Sequence, residues 1–193
     1  MKATAVAAAI FALSFTSSPA PARVARPLGR VQKPAGRLAA PQMWSDREGA
    51  FSLARPAGES WRFKGTARGP DGSALPLLAL SEETGAQLIV QNADGVASLR
   101  TLAGALAAHL GEEARIRVEE PARILARGGE AYAFSFTVAD EVRGRVAVVR
   151  SGDHVALVIA SWPLGAPASV AEDVEGMIGS LGPVDPLVPA GVY

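Results

Sequence analysis

From residue 131 the chain alternates bulky and small positions: Tyr132, Phe134, Phe136 and Val138 interleave with Ala131, Ala133, Ser135 and Thr137. A period of two turns successive side chains to opposite faces, so this run predicts a strand with its aromatic face in a core and its small face outside. Two more strand-like runs follow, at 143–150 and 154–162, after turns at Asp140-Glu141 and Ser151-Gly152-Asp153 that are short enough to force antiparallel neighbours. In the last run Val155, Leu157 and Ile159 share one face, while Ala156, Val158, Ala160 and Trp162 share the other. A strand apolar on both faces belongs in the middle of a sheet that is covered on both sides.

Helical periodicity occurs twice. Ser98 can cap a helix whose Leu99, Leu102, Leu106 and Leu110 fall along one stripe, with Gly111 as its C-terminal stop. Downstream, Ser169-Val170-Ala171-Glu172 reads as a capping box, and Val170, Val174, Met177, Ile178 and Leu181 form a second stripe that closes at Gly182-Pro183. Upstream, folded sequence begins near Met43-Trp44, with short strands at 51–54 and 61–63 and a loop over 65–74. Runs 75–80 and 86–91 flank a polar turn and form a hairpin. Arg115 to Val118 alternates arginine with aliphatic residues, Pro121 interrupts the ladder, and Ile124-Leu125 resumes it before a Gly128-Gly129 turn. Together these elements predict a single α+β domain over 43–183: an antiparallel sheet of about six or seven strands, ending in a three-stranded meander and packed by two main helices.

The first 22 residues have the pattern of a secretory signal: Lys2, an apolar stretch from Ala5 to Phe15, then the small-x-small ending Ala20-Pro21-Ala22. Cleavage after Ala22 is favoured over Ala20, which would place Pro21 just past the bond. The apolar stretch falls well short of the roughly 20 residues needed to span a bilayer. Residues 23–42 mix arginine and lysine with Pro27, Pro34, Pro41, Gly29 and Gly36, and they read as a flexible tether, the sharper alternative being a basic arm (23–37) that touches anionic surfaces. Residues 184–193 form a tail. The chain's formal charge of zero hides an asymmetry, because residues 1–45 hold six basic residues and no acid, whereas 46–193 hold thirteen basic against nineteen acidic residues. A body with that acidic surplus lacks the cation excess that neutralises phosphates, so nucleic acid is not an expected partner.

The absence of cysteine removes disulfides, thiolate catalysis and Cys-ligated metals. The histidines are His109, near the end of the first helix, and His154, at the start of a strand; no nucleophile motif accompanies either, and both read as structural. Carboxylates come as adjacent pairs such as Glu112-Glu113 and Glu119-Glu120, and neighbours in sequence face apart, so adjacency builds no catalytic dyad. Lys64-Gly65-Thr66 resembles the end of a phosphate-binding loop, but Glu59 stands where a glycine is required. Trp44, Trp61 and Trp162 read as core or rim packing. No catalytic residue, cofactor or metal is expected. What remains is an arginine-bearing sheet face, in which Arg115, Arg117, Arg143 and Arg145 project beside the small residues of the meander as a possible partner-binding surface for an acidic or anionic ligand.

Three landmarks carry a resemblance to the PsbP-like and DcrB-like families. These are Phe51-Ser52-Leu53-Ala54-Arg55-Pro56 with Trp61 five residues on, Gly129 to Phe136, and Ala160-Ser161-Trp162-Pro163 before the last helix. The resemblance covers about residues 48–182. It implies an antiparallel sheet packed by helices, in a family whose bacterial members are mostly exported and non-enzymatic. Its lipoprotein members attach through a cysteine that this chain lacks. The functional expectation is an exported, non-enzymatic binding or assembly-accessory protein of the cell envelope, periplasmic or extracellular. The alternative is a carrier of a small apolar ligand, with a pocket lined by Leu106, Phe134 and Met177; a hydrolase ranks last.

Overall fold

The computed structural model describes residues 42–46, 50–57, 60–68, 74–93 and 95–184. The expected signal peptide, the linker up to residue 41 and the tail beyond Val184 lie outside the described residues. The strands are β1 (Met43–Ser45), β2 (Ser52–Ala54), β3 (Arg62–Arg68), β4 (Ala74–Ser81), β5 (Ala86–Asn92), β6 (Ile116–Val118), β7 (Ala122–Ala126), β8 (Gly129–Val138), β9 (Val142–Ser151) and β10 (His154–Pro163). Two helices, α1 (Leu99–Gly111) and α2 (Ala168–Ser180), complete the described elements. β1 and β2 pair by themselves, and the other eight strands form one antiparallel sheet in the order β3-β4-β5-β10-β9-β8-β6. β7 follows β6 along the same outer edge of β8.

The α+β architecture expected from the sequence is the one observed. β10 is central, between β9 and β5, as its two apolar faces require. The small face of β8, expected in solvent, is instead largely buried. Ala131, Ala133, Ala147, Val149, Ala156 and Val158 form a floor on which α2 lays Val170, Val174, Met177 and Ile178. Short side chains let the helix approach closely, so smallness here marks a helix-packing face. On the opposite face α1 packs Leu99, Ala103, Leu106 and Leu110 over Phe134, Phe136, Val146, Val148 and Leu157. Phe136 lies across Gly144 on the neighbouring strand, where any Cβ would overlap its ring.

Two local readings change. β3 continues to Arg68, pairing Gly65 with Leu77 and Arg68 with Ala74, so 65–68 and 74 of the expected 65–74 loop are strand, while 69–73 lie outside the described residues. Ladder hydrogen bonds override the weak strand propensity of Gly65 there. At α2 the cap position falls on Pro167, with φ −55 and ψ 147 and no side-chain cap bond, and Ser169 lies inside the first turn. Proline's fixed φ sets the helix start ahead of the serine. Ser98 does cap α1, its Oγ accepting from Thr101 N at 3.2 Å.

Candidate binding surface

Residues paired in register across an antiparallel sheet share a face, so the ladders define rows. Arg117 pairs with Thr137, Thr137 with Arg143, and Arg143 with Trp162, all on the face that carries α2. One row further in, Ser135 pairs with Arg145 and Arg145 with Ala160. Strand spacing places the Arg117 and Arg143 backbones about 10 Å apart, and two residues along a strand separate Arg143 from Arg145 by about 7 Å. The sheet therefore brings three of the four sequence-predicted arginines to one end of one face. Arg115 lies just before β6, its carbonyl accepting from Ala139 N at 2.8 Å.

Their partners divide them. Arg145 is 17% exposed at its side chain; its Nε lies 2.8 Å from Glu175 Oε1 on α2, and Nη1 donates to Ser135 Oγ at 3.1 Å. No acceptor is aligned with the buried Nε–H, so the Glu175 contact is a charge pairing that clamps α2 to β9, not a hydrogen bond. Arg145 is thus structural. Arg117 Nη1 stands 3.6 Å from Asp140 Oδ1 with both groups well exposed, a pairing that contributes little to stability. Among the described residues, Arg143 and Arg115 have neither an ion pair nor a side-chain hydrogen bond, and both are exposed. Trp162, half-buried against the α2-side core, flanks Arg143.

The turn beside these residues is strained. Ala139 and Asp140 adopt φ of 49° and 57°, the left-handed region that costs a non-glycine residue about 1 kcal/mol. The conformation is held by Ala139 N donating to Arg115 O and by Leu164 N donating to Glu141 O at 2.7 Å. It carries Asp140 next to Arg117.

His109 Nδ1 lies 3.2 Å from Glu112 Oε2 in the last turn of α1, and His154 is exposed at the first position of β10. Trp44 packs on Phe51 with ring centroids 5.7 Å apart, and buried Trp61 donates Nε1–H to Asp173 Oδ2 of α2 at 2.8 Å. Among the described residues no group of three histidine or carboxylate side chains is placed to hold a metal ion. The residues proposed to line one apolar pocket are separated by the sheet, with Leu106 and Phe134 in the α1-side core and Met177 in the α2-side core. Met177 therefore does not line one pocket with Leu106 and Phe134.

Sequence reading missed Arg127. Its Nε donates to Ser180 O at 2.8 Å, and its Nη2 to Ser52 O at 3.1 Å and to Ser52 Oγ at 2.6 Å. The backbone follows, Arg127 N donating to Gly179 O and Gly128 N to Leu181 O, both at 2.8 Å. One residue thereby fastens the β7–β8 turn, the C-terminal end of α2 and β2. Its position immediately before two glycines was the available signal, since a tight turn brings its neighbours against other chain segments.

No family profile matches the sequence, and no curated protein matches it. Solved structures do match in fold. The Ran-binding protein Mog1p of Saccharomyces cerevisiae aligns with a TM-score of 0.51 at 16% identity, over 76% of this chain and 96% of its own. The cyanobacterial PsbP of a Synechocystis species aligns with a TM-score of 0.50 at 13% identity, over 82% of this chain and 100% of its own. The fold is PsbP-like.

Proposed function

We propose that this chain is an exported, non-enzymatic binding or assembly-accessory protein of the cell envelope, which engages an acidic partner through the end of the sheet that carries Arg143. The carrying observation is Arg143 itself: exposed, unpaired among the described residues, and in register with half-buried Trp162. A guanidinium presents a planar fork that matches a carboxylate, and an adjacent indole supplies apolar contact area with few rotors to freeze. Arg115 adds a second exposed cation nearby. Support for export comes from the Lys2 and Ala5–Phe15 pattern with its small-residue ending. Kinship with DcrB-like proteins belongs to the same reading.

The test is recovery of a partner from envelope extract on immobilised protein, comparing wild type with Arg143→Glu. Arg145 is left intact because it clamps α2. The reading expects a discrete partner whose recovery falls at least about tenfold with Arg143→Glu, at an unchanged melting temperature. Equal recovery by both proteins, or no partner with either, overturns it.

A further inference from the structure

β7 is an edge strand with an unusual composition. It pairs with β8 alone, and its register runs Ala122↔Ala133 to Ala126↔Gly129 across the two-residue Arg127-Gly128 turn. In a hairpin closed by two residues, the pair flanking the loop exchanges hydrogen bonds and the pattern then alternates. Ala126, Ile124 and Ala122 therefore bond to β8, leaving the N–H and C=O groups of Arg123 and Leu125 directed away from it. Side chains alternate as well: Ile124 and Ala126 pack on the α2-side core, while Arg123 and Leu125 share the other face.

Leu125 is 93% exposed, far beyond Leu164 at 42%, the other large hydrophobic residue exposed among those described. Natural edges are blunted by charge, proline, bulges or a covering element. Here Pro121 and α2, whose Gly179 lies against Leu125 O and accepts from Arg127 N, limit the free edge to the N–H and C=O of Arg123 and the N–H of Leu125. Arg127 and its bonds to Ser180 and Ser52 hold that edge in extended form, so a docking strand meets a pre-organised template.

We infer that β7 is a docking edge for an extended segment of a partner protein, which adds to the sheet as a further strand and carries an acidic and an aliphatic side chain two residues apart. Two residues apart is the spacing of Arg123 and Leu125 on their shared face, so an added strand sets its acid against the guanidinium and its aliphatic group against the leucine. Charge complementarity favours the acid: Arg123 is exposed and has no ion pair among the described residues, while Glu130, across from Leu125, is directed to Arg150 at 4.0 Å. Glu119 and Glu120 lie before Pro121 and confine the contact to Ala122–Leu125. This surface is separate from the Arg143 end.

The probe is a blocked nine-residue peptide in which threonine alternates with glutamate and leucine in turn, titrated into the purified protein while backbone amides are followed by NMR. Saturable shifts at the amides of Arg123 and Leu125 are expected. Affinity should fall at least about tenfold in Arg123→Glu and in Leu125→Thr. N-methylation of alternate peptide nitrogens, which removes ladder donors without altering side chains, should abolish binding. Leu125→Thr replaces an exposed residue with a good strand former, so unchanged circular dichroism is required of it. Absence of shifts on β7 at millimolar peptide, equal binding of the methylated peptide, or a map centred on Arg143 overturns the inference. So does concentration-dependent self-association abolished by Leu125→Thr, which makes a second copy the occupant.

Discussion

At one end of the sheet Arg127 donates to Ser180 O and to both oxygens of Ser52, joining three chain segments that are far apart in sequence. At the other end Arg143 projects from β9 beside Trp162 and donates to nothing among the described residues. The two side chains are chemically identical, and composition alone treats them alike. Their difference is set by what surrounds them: Arg127 follows a strand into a turn packed against carbonyls at the end of a helix, where a cation also opposes the helix dipole. Arg143 stands on a face where α2 has given way to loop. A cation already matched to fixed acceptors has little left to offer a partner, whereas an unmatched one keeps its full hydrogen-bonding capacity for recognition.

That contrast breaks hardest at Gly128. A Cβ there would overlap the carbonyl oxygen of Arg150, a backbone atom that cannot rotate away. Gly128→Ala should therefore destabilise the protein by about 3 kcal/mol in denaturant unfolding, and loss below about 1 kcal/mol would show that the latched end yields. Arg127→Ala comes next: it removes the guanidinium's bonds to Ser180 O, Ser52 O and Ser52 Oγ, leaving Ser52 O only its bond from Gly182 N, for an expected loss of about 2 kcal/mol. Arg127→Lys should recover little of this, because an ammonium cannot reproduce the fork. Arg143→Ala is the smallest, within about 0.5 kcal/mol of wild type by the same measurement. A larger loss would mean that Arg143 also belongs to the scaffold.

Much of the fold was legible because periodicity survives in single residues. The β8–β10 meander, the β4–β5 hairpin and the stripes of α1 and α2 were all marked by spacing, and Ser98 was legible as a cap because the N–H that donates to it lies only three residues away. What failed depends on contacts that are distant in sequence. Ala131 and Ala133 alternate as an exposed face would, and only the arrival of α2 some forty residues later buries them. Arg145 and Arg143 are two residues apart on the same strand face, yet Glu175 reaches only one of them. The exposure of Leu125 was equally hidden, since Ile124-Leu125 reads as an apolar pair and its edge position follows from strand order.

The central place of β10 has a kinetic consequence. β8, β9 and β10 are joined by tight turns, so their ladders close over a few residues at a time. The seam between β10 and β5 is different: the Gln87 side chain donates to Ser161 Oγ across 74 positions of sequence. Loop-closure entropy must be met before any bond of that seam forms, and chains with such separations fold more slowly than those built from local contacts. Contact order thus predicts that the ribbons β3–β5 and β6–β10 assemble locally and that the seam between them zips last. Until that seam closes, the facing flanks of β10 and β5 are unpaired edges in addition to those at the ends of the sheet.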